Sequence, residues 1–194
     1  MNTMTIARSE LVLGGQRSGK SRRAEQLAQQ WLAQSPGHRA VMIATARPWD
    51  DEMRERIRRH QQDRAERLPG MSTVEEPVQL AQAIVQHSAP NTLVVVDCLT
   101  LWLTNLLMPA PGLEIKNAEQ AAWEQAGLLV SAIGAAPGPL VLVGNEIGLG
   151  VIPLGRETRS FVDALGQLNQ QVAGACARVT LMAAGLPLTL KAPS

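Results

Sequence analysis

The chain has no tyrosine and one phenylalanine, with four tryptophans as its other aromatic residues. Single-stranded nucleic acid is gripped by aromatic platforms set among basic residues, and no stretch interleaves the two. The formal charge is only +1, so bulk attraction to a polyanion is missing as well. No nucleic-acid partner is expected. Cysteine is scarce, and Cys98 and Cys176 stand too far apart to match a metal-ligand spacing. They read as reduced, buried residues of a cytoplasmic protein. No apolar run approaches the roughly 18 residues that suggest a membrane span, and MNTMTIARSE at positions 1–10 is too short and polar to read as a signal peptide. Repeats and low-complexity tracts are also lacking. What remains is 194 residues, 45% of them hydrophobic, enough for one core; a single domain over 1–194 is expected.

The most informative stretch is Glu10 to Ser21, ELVLGGQRSGKS. Leu11, Val12 and Leu13 form a short apolar run. Gly14, Gly15, Gln16, Arg17, Ser18, Gly19, Lys20 and Ser21 then spell G-x-x-x-x-G-K-S, the phosphate-binding loop. Glycines let the backbone approach a ligand with no Cβ in the way. The loop N–H groups and the following helix N-terminus favour an anion. Lys20 supplies a cation for the β and γ phosphates, and Ser21 a hydroxyl ligand for Mg²⁺. Ala24, Leu27, Ala28, Trp31 and Leu32 follow at helical spacing, as the motif requires. The bland alternative is a Gly-rich turn that binds nothing.

Further along, Arg39 to Ala44 reads as a buried strand. Thr45 and Arg47 then fall at its carboxyl end, where an open α/β sheet meets its ligand. Asp50 to Arg67 reads as a charged helix, with Glu52–Arg56 and Glu55–Arg59 as favourable i,i+4 pairs. His60 shares a thin seam with Met53, Ile57 and Arg64, and either caps that seam or serves chemistry. Ser72 to Glu75 suggests an edge strand, and Pro77 to His87 a helix. Thr92 to Asp97 is the clearest strand. Asp97 at its end suits the position that holds Mg²⁺ in such folds, or else a helix N-cap. Leu99 to Leu107 and Asn117 to Ala135 read as helices, Leu140 to Val143 as a strand. Gly144 to Gly150 is a glycine-rich loop carrying Asn145 and Glu146, either functional or a plain connector. Arg156 to Ala175 reads as a helix. Val179 to Ala183 and Leu188 to Lys191 read as a hairpin around Gly185-Leu186-Pro187. About seven strands alternate with helices, which implies an α/β fold.

The chain resembles the bifunctional adenosylcobinamide kinase and adenosylcobinamide-phosphate guanylyltransferase family of cobalamin biosynthesis. The resemblance rests on GGQRSGKS (14–21), IATA (43–46), DDEMRERIRRHQQDR (50–64), VEEP (74–77), VVVDCLTLWLTNLL (94–107) and GNEIGLGVIP (144–153), in that order. The helix at Arg156 to Ala175, with LNQQVA inside it, also fits. Gln61 stands where the family often has a basic residue, and Met71-Ser72 where it often has an aromatic.

The resemblance implies a P-loop, RecA-like fold: a mostly parallel sheet with helices on both faces. It implies phosphorylation of adenosylcobinamide by ATP or GTP. Transfer of GMP from GTP to the resulting phosphate then follows through a guanylyl-histidine, which the H-x-x-x-R pattern assigns to His60. By the same resemblance the nucleotide contacts fall on residues 14–21, on Ala44, Thr45 and Ala46, on Gln61, Gln62, Asp63 and Arg64, and on Glu75 and Asp97. Ser21 and Asp97 are the expected Mg²⁺ ligands, and a homotrimer the expected assembly. Two other readings of the residues stay open: a single-activity kinase for another small alcohol, and a non-catalytic GTP-binding regulator.

Overall fold

The computed structural model describes residues 5–48, 51, 54–55, 58–59, 62, 66–109, 117–151 and 153–193. Its strands are β1 (Ser9–Gly14), β2 (Arg39–Ala44), β3 (Met71–Glu75), β4 (Thr92–Asp97), β5 (Leu140–Val143), β6 (Arg178–Ala183) and β7 (Leu186–Lys191). The helices are α1 (Lys20–Gln34), α2 (Leu80–His87), α3 (Leu99–Leu107), α4 (Ala118–Ala135) and α5 (Arg156–Ala175). The described residues between 51 and 67 are helical too. Among the described residues, no helix is long and apolar enough to cross a membrane.

The seven strands form one sheet in the order β3-β2-β4-β5-β1-β6-β7. Every neighbouring pair is parallel except the β6–β7 hairpin. Parallel strands buried on both faces need apolar side chains in both directions, and β4 and β5 supply them. Val94, Val96, Leu140 and Leu142 point to one face, where α2, α3, α4 and α5 pack. Leu93, Val95, Val141 and Val143 point to the other, with Ala24, Leu27 and Ala28 of α1 and with Leu68. Helices thus cover both faces, as the α/β reading requires. Strand β5 separates β1 from β4, so the phosphate-loop strand and the strand ending in Asp97 are not neighbours.

Element boundaries depart from the sequence reading where local polar groups decide them. Helix α2 begins at Leu80 and not at Pro77. The Glu76 carboxylate accepts hydrogen bonds from the N–H groups of Val78 (2.8 Å) and Gln79 (2.7 Å), holding the chain in a turn before the helix starts. At the hairpin, Leu186 and Pro187 already belong to β7. The turn is Ala184-Gly185, both at positive φ (51° and 79°), the geometry that joins two twisted antiparallel strands most tightly. In the charged stretch, Glu55 pairs with Arg58, both through Arg58 Nε (3.0 Å) and Nη2 (2.6 Å). Arg58 makes the hydrogen-bonded contact, and the expected partner Arg59 acts on Glu55 through its charge alone. Glu52 and Arg56 lie outside the described residues.

One buried charge cluster sits inside the apolar frame. Glu10 of β1 is 1% exposed. It accepts from Arg23 Nε of α1 (2.9 Å) and from the Thr180 hydroxyl of β6 (2.8 Å), and Arg178 lies 3.6 Å away. A carboxylate buried this deeply needs such partners, because desolvation alone would be prohibitive. Glu10 and Arg23 lie on the strand and the helix that flank residues 15–19. Their pairing therefore fixes the two ends of that loop against each other.

Candidate active site

The strand ends share one edge. Ala44 stands opposite both Glu75 and Asp97, and Asp97 opposite Val143. Val12 also pairs with Val143, so β1 runs on to Gly14 at the same edge. This is the carboxyl edge of a parallel sheet, where α/β folds bind their ligands.

Residues 14–19 turn sharply here. Gly14 sits at φ 153°, Arg17 at 54° and Gly19 at 100°. A Cβ on Gly14 would lie 2.5 Å from both the Met182 carbonyl oxygen and Ser18 Oγ, so only glycine fits. Gly19 caps α1 with no side chain bonded to the helix start, leaving first-turn N–H groups available to an anion. The Ser18 hydroxyl is buried with no hydrogen-bond partner. The hairpin supports the loop from behind, since Gly185 N donates to the Ser18 carbonyl at 3.0 Å.

Lys20 folds back over the loop and donates from Nζ to the Gly15 carbonyl at 2.6 Å. Burial pushes its ammonium below the usual lysine range; the charges of Cys98 and Asp97 push the other way. Burial also raises the Cys98 thiol to about 11, so near neutral pH it carries no charge. Asp97 is then the nearby charge that opposes the lowering of Lys20 by burial. Among the described residues no three His, Cys, Asp or Glu side chains cluster as a metal site. A hydroxyl (Ser21) and a carboxylate (Asp97) nevertheless fit Mg²⁺, a hard cation that takes few protein oxygens and fills its shell with water and phosphate.

Behind this edge lies a buried polar lattice. The Asp97–Cys98 peptide is cis. The hydroxyl of Thr45, 0% exposed, donates to the Cys98 carbonyl (2.7 Å) and accepts from Cys98 N (2.9 Å). Thr45 N donates to the Asp97 carbonyl at 3.1 Å, and Glu76 N to the Ala44 carbonyl at 3.0 Å. The loop after β5 joins the same edge. Glu146 N donates to the Gly14 carbonyl (3.1 Å), and the Glu146 carboxylate accepts from Gly148 N (2.8 Å). Asn169 of α5 donates to the Asn145 carbonyl at 3.1 Å.

A family model described as cobinamide kinase / cobinamide phosphate guanyltransferase matches residues 10–190. The chain belongs to that family. It is therefore a bifunctional kinase and nucleotidyltransferase of cobalamin biosynthesis. The bifunctional adenosylcobalamin biosynthesis protein CobP of Pseudomonas aeruginosa is 44% identical over 182 residues, covering 94% of this chain and 96% of that protein. The CobU proteins of Escherichia coli and Salmonella typhimurium are 37% and 34% identical over 187 residues, each alignment covering 93% of this chain and 98% of its counterpart.

In this cobinamide kinase / guanyltransferase, the structure brings together residues 14–21, Ala44, Thr45, Ala46, Glu75 and Asp97 along one edge. Gln62 is helical and exposed. His60, Gln61, Asp63 and Arg64 lie outside the described residues. The sequence reading passed over Glu10, Arg23, Asn105 and Asn169, all buried polar groups in apolar surroundings. The usable signal was that mismatch itself: a lone acid or amide in an apolar row is costly unless it has a structural or chemical task.

Proposed function

We propose that one nucleotide site serves both reactions of this enzyme. In the first, the terminal hydroxyl oxygen of the aminopropanol arm of adenosylcobinamide attacks the γ-phosphorus of ATP or GTP, the bond to the β-phosphate oxygen breaks, ADP or GDP leaves, and the hydroxyl proton is released to solvent. In the second, an imidazole nitrogen of His60 attacks the α-phosphorus of GTP, the bond to the β-phosphate breaks, and pyrophosphate leaves. A phosphate oxygen of adenosylcobinamide phosphate then attacks the same phosphorus and the nitrogen–phosphorus bond breaks. The product is adenosylcobinamide-GDP.

The observation that carries this reading is the assembled phosphate loop, with Lys20 closed over Gly15 and Asp97 supplying its counter-charge. Loop N–H groups hold the phosphates, and Lys20 exchanges the Gly15 carbonyl for phosphate oxygens. Ser21 and Asp97 would hold Mg²⁺, which would supply charge neutralisation for the phosphates. Arg56 and Arg64 stand four residues to either side of His60 in the sequence. Their charge disfavours the imidazolium, which keeps a lone pair for attack. Gln61, Gln62, Asp63 and Arg64 complete the nucleotide contacts in this reading, together with Ala44, Thr45, Ala46 and Glu75. The Thr45 hydroxyl is committed to Cys98, its N–H to the Asp97 carbonyl and its carbonyl to Asn105, so in this reading it shapes the edge that meets the nucleotide.

We also read the active form as a homotrimer in the cytoplasm. Support for association comes from the edge strand β7, whose Leu186, Leu188 and Leu190 are all exposed. Support for a reducing compartment comes from the two buried free cysteines.

His60→Asn tests the covalent route. The variant should lose the protein-bound label from α-labelled GTP, and GMP transfer should fall by orders of magnitude. Phosphorylation of adenosylcobinamide should continue, since in-line phosphoryl transfer needs no covalent intermediate. Label retained on the variant would place the nucleophile elsewhere.

A further inference from the structure

Helix α3 is almost wholly apolar, LTLWLTNLL, yet its Asn105 is only 2% exposed. Asparagine is a poor helix former, and its amide is costly to bury unless its hydrogens are used. Here Nδ2 donates twice: to the Thr45 carbonyl at 2.7 Å and to the Pro77 carbonyl at 3.0 Å. Thr45 follows β2 and Pro77 follows β3. Three residues earlier on the helix, Trp102 Nε1 donates to the Val78 carbonyl at 2.8 Å. Near the helix start, the Thr100 hydroxyl accepts from Asn145 N, after β5, at 2.9 Å. Helix α3 itself follows Asp97-Cys98 at the end of β4. One helix therefore grips the loops that leave four adjacent strands, β3-β2-β4-β5.

We propose that Asn105 is a positioning residue for nucleotide binding, one that holds the Thr45 and Glu75–Pro77 segments in register across the β2–β3 edge. Its two donors span carbonyls from two loops, which no apolar residue of the same size can do. Thr45 is also locked to Cys98 through its hydroxyl. Asn105 thus ties the segment after β3 to a Thr45 already anchored at the end of β4. The phosphate loop is held by other means: the Glu10–Arg23 pair and the Gly185–Ser18 bond. Asn105 consequently governs the nucleoside end of the ligand and leaves the triphosphate end alone. This inference rests on the proposed contacts of Ala44, Thr45, Ala46 and Glu75 with the nucleotide.

The two ends separate in a binding experiment with GTP and with inorganic tripolyphosphate, both with Mg²⁺. Asn105→Leu keeps the branched shape, with somewhat more bulk, and removes both donors. It should weaken GTP by about tenfold to a hundredfold, the scale of a small misplacement transmitted from outside the reacting groups. Tripolyphosphate should bind within roughly twofold of the unaltered protein, because the loop N–H groups and Lys20 are untouched. Trp102→Phe, which removes the bond to Val78 and part of a fully buried ring, should show the same split in milder form, and it carries the test if Asn105→Leu does not fold. Equal losses for both ligands would overturn the proposal, since Asn105 would then support the fold as a whole. Unchanged GTP binding would overturn it as well. Glu75→Ala shows which idea has failed. If it weakens GTP selectively while the α3 variants do not, the positioning role alone is wrong. If it too leaves GTP untouched, the β2–β3 edge does not meet the nucleotide at all.

Discussion

Lys20 holds a position that only the fold explains. Its ammonium is buried against the Gly15 carbonyl, and the charge of Asp97, a residue 77 positions later, opposes the lowering that burial causes. If both reactions use triphosphate held here, Lys20→Ala should depress both kcat values by about 10² or more, as when a positioned transition-state charge is removed. Guanylyl transfer to supplied adenosylcobinamide phosphate, running near the original rate in the variant, would refute a shared site. The cysteines give a pH prediction of their own. Burial raises Cys98 to about 11 and Cys176 to about 12, from an ordinary thiol value of 9.0. Unfolding therefore releases thiol protons above pH 9, so the unfolded state gains at alkaline pH. The stabilising effect should be complete below pH 9 and fade as pH rises towards 11 and 12. Melting temperatures across that range should fall, and less steeply in Cys176→Ala. The motif made Lys20 and Ser21 legible in the chain. Glu10 was not, because nothing local says that Arg23 and Thr180 will converge on it.

At the scale of elements, strand interiors were plain in the sequence and element ends were not. Thr92–Asp97 and Leu140–Val143 match their apolar runs to the residue, because burial on both faces requires an unbroken apolar run. The start of α2 depends on a single side chain, Glu76, reaching two N–H groups, and periodicity carries no trace of that. Gly138 shows a similar hidden constraint. A Cβ there would lie 2.0 Å from the Ala89 carbonyl oxygen and 2.5 Å from that of Thr92. Both are backbone atoms of the turn into β4, so neither can swing aside. Gly138→Ala should cost about 2–4 kcal/mol by overpacking, read from the midpoint of urea unfolding. A change under about 0.5 kcal/mol, the size of a surface substitution, would mean that this turn yields.

For the whole molecule, the strand order sets one side of the sheet against solvent. Strand β7 is the antiparallel edge strand, exposed at all six residues, and an edge of this kind invites pairing with another chain. Light scattering should report three copies, and Leu188→Lys should shift the population towards monomers if β7 lies in the contact. A monomer from the unaltered chain would contradict the trimeric reading. A trimer that survives Leu188→Lys would locate the contact on another surface.

The chain by itself determined the class of the molecule and the chemistry of its loop. Apolar runs of three or four residues between helical periods dictate an α/β fold, and G-x-x-x-x-G-K-S dictates a phosphate cradle, because both depend on neighbours in sequence. Only the tertiary structure decided which strand ends stand side by side, and so which polar groups meet. Thr45 with Cys98, Asn105 with Thr45 and Pro77, and Glu10 with Thr180 are joined across 53, 60, 28 and 170 residues. A hydrogen bond asks for about 3 Å between its atoms and is indifferent to distance along the chain. That is why the site's loop could be read directly and the lattice that holds the site could not.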